Sequence, residues 1–124
     1  MSGSSRDEAD DVIRRLQEGL EAFNEERFFE SHDLLEDLWM DVRGRERTFF
    51  QGLIQLAIGY YHLSTGNPTG ARNLLERGLK KLESWEPEYR GVDLRVVNDE
   101  VRKTVTRLEE GRANEAFPKI AWTG

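Results

Sequence analysis

An uncharged stretch in the middle of the chain constrains the fold most strongly. Residues 48–71 contain no Asp, Glu, Lys or Arg, although charged residues make up 34% of the 124-residue sequence. The stretch also contains polar groups and a proline, which argue against a membrane span. These residues are Gln51, Gln55, His62, Asn67 and Pro68. We predict a helix over about residues 46–64 that is apolar nearly all round, as is typical of the central helix of a domain.

Four further segments carry apolar residues at helical spacing. They cover about residues 5–23, 27–42, 68–82 and 94–108, with a loop at 85–91. Ser5 and Glu8 form a capping-box pattern at the start of the first helix. Asn67 before Pro68, and Asp93 further along the chain, are typical N-cap residues of the last two helices.

A weak internal repeat indicates how these helices are arranged. The segment 31–36 resembles the segment 71–76 at an offset of 40 residues, and each segment follows a helix and a short turn. Two helical hairpins with a small residue at the crossing are similar to tetratricopeptide units, whose repeat is usually about 34 residues. We therefore predict an all-α fold, a compact array of about five helices built from helical hairpins and tetratricopeptide-like.

The two ends of the chain differ from the helical segments. Residues 1–4 are mostly small and polar and are predicted to be a disordered tail, followed by one helical domain over residues 5–111. The C-terminal tail, residues 112–124, contains three large apolar side chains. They are Phe117, Ile120 and Trp122. Because such groups are costly to expose on a small monomer, we expect the tail to dock on the body or on a partner.

The composition narrows the classes of function. The formal charge is −6 and the sequence contains no cysteine. An acidic protein repels nucleic acids and anionic membranes, so neither is expected as a partner. Without cysteine there is no thiol nucleophile and no thiolate metal site. The same absence fits a reducing compartment, and the N-terminus shows no signal-peptide pattern, so a cytoplasmic location is expected.

Both histidines of the chain lie on helix faces that should otherwise be apolar. On the second helix, His32 and Glu36 fall one turn apart on the inward side. The short connection at 43–45 makes the second and central helices antiparallel neighbours, so their polar lines are expected to face each other. The predicted interior cluster consists of His32, Glu36 and Trp39 from the second helix and Gln51, Gln55 and His62 from the central helix.

Two interpretations of this cluster follow from the residue types. Buried glutamine and histidine commonly complete a hydrogen-bond network that supports only the fold. The same groups would suit a binding or catalytic pocket, because Gly52 and Gly59 flank the polar line and allow close approach of a ligand. The sequence leaves both interpretations open.

A divalent metal site is the most concrete form of the pocket hypothesis. His32 and Glu36 at positions i and i+4 can reach one ion, and His62 could supply a third ligand. Two histidines and one carboxylate suit zinc or iron. The chain lacks the His-Glu-x-x-His motif of zinc proteases, a glycine-rich phosphate loop and a Gly-x-Ser-x-Gly motif. We predict no cofactor, and these three residues remain candidate ligands.

The second and central helices resemble a known prokaryotic family. Residues 28–39 read Phe-Phe-Glu-Ser-His-Asp-Leu-Leu-Glu-Asp-Leu-Trp and are similar to the signature of the family catalogued as domain of unknown function 309. The pattern continues in segments 51–57, 66–71 and 87–93 and at His62, so that it extends over roughly residues 16–108. The resemblance implies a small all-α fold with no assigned activity. It also places all six residues of the cluster at motif positions.

The sequence favours a non-enzymatic helical module that binds an unidentified protein or small molecule, or a second copy of itself as a homodimer. The alternative is a small metal-dependent or His/Glu-based enzyme of the hydrolase type. An interaction module requires an exposed apolar or concave helical face. An enzyme requires a cleft that connects the cluster to solvent.

Overall fold

The computed structural model describes residues 5–112 and 116–123, within which the chain forms five helices. The helices are α1 (Ser5–Asn24), α2 (Phe28–Asp41), α3 (Arg47–Ser64), α4 (Pro68–Glu83) and α5 (Leu94–Glu109). The all-α prediction is confirmed, and the predicted helix limits agree with these to within a few residues. The predicted disordered tail at 1–4 lies outside the described residues. No helix in the described ranges is both long and apolar enough to cross a membrane.

α3 lies at the centre of the array and contacts each of the other helices. It packs along α2 and α4. Tyr60 reaches α1 and α5, because its ring lies 5.8 Å from that of Phe23 and its hydroxyl lies 2.9 Å from the hydroxyl of Thr104. Tyr60 is fully buried, and this burial raises the pKa of its phenol. The uncharged stretch thus forms the central helix that its composition predicts.

α3 and α4 approach each other more closely than ordinary side chains allow. A methyl group at Gly78 would lie 2.9 Å from the backbone oxygen of Gly52. A methyl group at Gly59 would lie 2.8 Å from the side chain of Leu75. Real Cβ atoms do not approach backbone this closely without a shift of one helix, so glycine is required where α4 crosses α3.

A β-hairpin joins α4 to α5. Its strands β1 (Glu88–Tyr89) and β2 (Val92–Asp93) pair antiparallel, with Tyr89 opposite Val92. The sequence predicted a loop over 85–91, and that prediction is wrong for the residues of β1. Two residues per strand are too few to show the alternation by which a strand is recognised. Asp93 then caps α5, because its carboxylate accepts a hydrogen bond from the backbone N–H of Val96.

Residues 116–123 pack on the body of their own chain. The side-chain amide of Asn24 bonds both backbone groups of Ile120, at 2.7 Å to the N–H and 2.8 Å to the carbonyl oxygen. Ile120 is 2% exposed, and the ring of Phe117 lies 5.1 Å from that of Phe28. Trp122 bridges to the hairpin strand β2. The end of the described tail therefore covers α1 and the hairpin.

A carboxylate holds the hairpin turn against the start of α3. Glu46 accepts hydrogen bonds from the Tyr89 hydroxyl at 3.0 Å and from the Arg90 guanidinium at 2.7 and 3.1 Å. The guanidinium of Arg90 lowers the pKa of the Glu46 carboxyl below its ordinary value. The ion pair thus stabilises the folded state in a way that depends on pH.

We expect Gly78→Ala to lower the free energy of unfolding by about 1–3 kcal/mol, because the new methyl group forces α3 and α4 apart. Alanine favours an isolated helix by about 1 kcal/mol over glycine, so the sign of the change is diagnostic. The exposed Asn73→Ala on the same helix is the control and should change stability by less than about 0.5 kcal/mol. Urea denaturation measures both. A Gly78→Ala protein as stable as the wild type would refute the close contact.

We also expect the stability difference between the wild type and Glu46→Gln to depend on pH. The folded-state pKa of Glu46 is lowered, so the stabilisation is complete above the unfolded value of about 4.3 and is lost as pH falls through the folded value. The difference should be largest near neutral pH and shrink in acid. Arg90→Gln removes the same pair and should behave alike. Denaturation midpoints that differ by a constant amount at every pH would contradict this account.

Candidate interaction face on three helices

A partly exposed row of side chains runs along α3, and we call it the α3 stripe. It consists of Gln51, Gln55, Ile58, Tyr61 and His62. Residues three and four apart share one side of a helix, so these side chains emerge together. Leu53 and Leu56 are buried on the opposite side of α3.

The neighbouring helices flank this stripe on its two sides. On the α2 side, the guanidinium of Arg47 lies 4.1 Å above the ring of Trp39, a distance typical of a cation–π contact. On the α4 side, the Lys81 ammonium donates a hydrogen bond of 3.0 Å to the side-chain oxygen of Gln55. The α3 stripe therefore forms the middle of a surface that α2 and α4 border.

The border on α2 combines apolar and acidic side chains, and we call it the α2 edge. It consists of Phe29, Asp33, Glu36 and Met40, which follow one another at helical spacing and are all exposed. Phe29 is 50% exposed and Met40 is 60% exposed. The ring of Phe29 lies 5.2 Å from that of Tyr61, which makes the edge continuous with the α3 stripe.

The border on α4 is basic, and we call it the α4 edge. It consists of Leu74, Arg77 and Lys81. The acidic residue Glu83 points instead towards α5, where its carboxylate lies 3.1 Å from the guanidinium of Arg102. The α2 edge, the α3 stripe and the α4 edge together form what we call the three-helix face. It combines aromatic, apolar and charged groups on one surface.

His32 and Glu36, two residues of the predicted cluster, are brought together. Glu36 Oε2 lies 3.7 Å from His32 Nε2, and Asp33 Oδ1 lies 3.3 Å from His32 Nδ1. The side chain of His32 is 19% exposed, whereas that of Glu36 is 49% exposed. The pair therefore lies at the surface of α2, although the helical wheel placed it inward. The wheel angle of Glu36 falls at the boundary of the contact with α3, where a long side chain reaches solvent.

The polar residues of α3 have other partners. Gln55 is bound by Lys81 of α4. His62 lies at the end of α3, with its Nδ1 3.3 Å from the side-chain nitrogen of Asn67. The structure therefore distributes the predicted cluster along the three-helix face and gives Gln55 and His62 partners outside α2. The physical reason is the close glycine contact between α3 and α4, which brings Lys81 within hydrogen-bond distance of Gln55.

The candidate metal ligands do not form a set. Among residues 5–112 and 116–123, no three or more His, Asp or Glu side chains are grouped so that they could hold a metal ion. His32 and Glu36 are adjacent, whereas His62 pairs with Asn67 at the C-terminal end of α3. The three-ligand hypothesis is therefore not supported by the arrangement of these side chains.

Several residues of the face were missed from the sequence. A lysine on a helix is usually solvated and gives no signal in the sequence, whereas Lys81 bonds to Gln55. The exposed Phe29 and Met40 were not recognised as one edge, although their spacing of eleven residues, three helical turns, was a signal. Trp39 was predicted to join the cluster, and its ring instead packs beneath Arg47.

Comparison with known proteins relates part of this chain to a family. The model of the family described as Domain of unknown function (DUF309) matches residues 16–74. Those residues of the chain belong to this family. They include all of α2 and α3 and the first half of α4. The resemblance seen in the sequence is confirmed over this range, whereas its segment 87–93 lies beyond the match.

Two curated bacterial proteins are similar to the chain. An uncharacterized protein of Aquifex aeolicus is 26% identical over 101 residues, which cover 81% of this chain and 30% of that protein. The uncharacterized protein YpuF of Bacillus subtilis is 33% identical over 67 residues, which cover 53% of this chain and 37% of that protein. The chain thus spans about a third of the length of the curated relatives it matches.

We expect Gln55 to be energetically coupled to Lys81 and not to Glu36. Gln55→Ala should lower the free energy of unfolding by about 0.5–1.5 kcal/mol, because the hydrogen bond is only partly buried. A double-mutant cycle with Lys81→Ala should give a coupling of about 0.5–1 kcal/mol. The matched cycle with Glu36→Ala should give none. Coupling to Glu36 without coupling to Lys81 would instead indicate the interior cluster predicted from the sequence.

Proposed function

We propose that the chain is a helical protein-interaction module that binds its partner through the three-helix face. The observation that carries the proposal is the exposure of Phe29 and Met40 on the α2 edge, beside the partly exposed α3 stripe. Large apolar groups that are exposed together on one surface favour association, because covering them removes apolar area from water.

The residue types of the face support this proposal. Aromatic residues, methionine and arginine are enriched at protein interfaces. Here Tyr61 and Trp39 are partly exposed between the two edges, and Arg47 is stacked on Trp39. Side chains already held by such packing lose less conformational freedom on binding, which favours affinity.

The lengths of the relatives also support a module. The similarity to this chain covers 30% and 37% of the two curated proteins, so in each of them the similar unit is joined to further sequence. A unit that occurs within longer chains is well suited to connect proteins. Because the sequence contains no cysteine, we propose a cytoplasmic location. Because its net charge is negative, we propose a partner other than nucleic acid.

Photo-crosslinking at single positions tests the proposal. A benzophenone amino acid placed at Phe29 or Met40 should give an adduct of defined mass in an extract of the native cell. The same group at Val96, which is 55% exposed on α5, should not give that adduct. Excess unmodified chain should suppress the adduct, whereas a chain carrying Phe29→Ser and Met40→Ser should not. Equal crosslinking at all three positions, or none on the face, would overturn the proposal.

A further inference from the structure

Charge is sorted across the three-helix face. α2 contains five acidic residues and no Lys or Arg. On α4 the acidic residue Glu83 pairs with Arg102 of α5, and Arg72 lies between Glu76 and Glu109. The α4 edge is left with the basic residues Arg77 and Lys81. The face is therefore negative along one border and positive along the other.

A surface with a negative border and a positive border can be complementary to the same surface on a second copy. Two copies that meet face to face are related by a two-fold axis that lies between them. An axis perpendicular to α3 would place each α2 edge against the other α2 edge, so that carboxylates would face carboxylates. An axis parallel to α3 places each α2 edge against the α4 edge of the other copy, so the dimer contains two such contacts. Charge complementarity selects the second arrangement.

The positions of the charged groups along the axis of α3, which we call their heights, agree with this arrangement. Phe29 is level with Tyr61, whose ring it contacts. Glu36 lies about 10 Å further along α2, and Gln55 lies about 9 Å from Tyr61 in the same direction along α3. Lys81 is bound to Gln55. An axis along α3 preserves height, so Glu36 of one copy would come opposite Lys81 of the other.

The apolar groups of the face would be covered at the same time. The α3 stripes of the two copies would run side by side at the axis, with Ile58 and Tyr61 in the middle. Phe29 and Met40, which are half or more exposed in the single chain, would lie at the contact of the two edges. An apolar centre with charged borders is the usual composition of a specific interface.

We infer that the partner of the three-helix face is a second copy of this chain, docked with its α4 edge on the α2 edge and with α3 parallel to α3. This inference rests on the proposed function of the face and names its partner. The contact that fixes the orientation is Glu36 of each copy against Lys81 of the other.

Charge reversal tests the inference with purified full-length chains. Sedimentation velocity should show a dimer for the wild type. Glu36→Lys and Lys81→Glu should each weaken dimerisation about tenfold or more, because each places like charges together twice. An equimolar mixture of the two variants should form a heterodimer of wild-type strength, since both contacts are then opposite in charge. Glu21→Lys, an exposed reversal on α1 outside the face, should leave dimerisation unchanged.

A second pair of charge-reversal variants distinguishes a lost contact from misfolding of the first pair. Asp33→Lys and Arg77→Glu are exposed positions on the same two edges and should show the same loss and the same rescue on mixing. A wild-type dimer that is insensitive to all four reversals would overturn the orientation.

A wild type that stays monomeric at millimolar concentration would overturn the second copy as partner. In that case a specific crosslinked adduct between Phe29 and another protein would still support the proposed interaction module. Absence of both the dimer and the adduct would overturn the proposed function as well.

Discussion

The backbone contact between α3 and α4 is the constraint on which the rest of the structure depends. Gly78 of α4 lies against the backbone oxygen of Gly52, and Gly59 accommodates Leu75. With larger residues at these positions α4 would stand further from α3, and the backbone of Lys81 would lie further from Gln55. The crossing therefore determines both the packing of the core and which helix lies beside the polar row of α3.

Several polar groups of the three-helix face bond to residues on their own helix or on the next one. His32 is paired with carboxylates of its own helix, Gln55 with a lysine of α4, and His62 with Asn67 at a helix end. Each of these three side chains has a local partner, while apolar groups on the α2 edge are left exposed. Acidic and basic residues occupy opposite borders, so the charge of the surface changes sign from α2 to α4.

Much of the fold follows from local patterns that a sequence displays. The helix starts at Asn67 and Asp93 were predicted, because an N-cap side chain bonds a backbone N–H only three residues away. The central position of α3 was predicted, because a helix without charge on any side must be covered. The hairpin and its bridge to Trp122 were not, because two-residue strands have no recognisable period and their partners are distant in the chain.

The sequence alone determined the five helical segments, the N-caps of α4 and α5, and the side of each helix on which polar residues fall. These properties depend on residues within a few positions of each other. Only the tertiary structure decided that Gln55 meets α4, that Glu36 is exposed, and that the two edges and the α3 stripe form one surface. A helical wheel gives the direction of a side chain from its own axis. Which helix stands there depends on how closely the helices pack, and glycine contacts between distant segments set that distance.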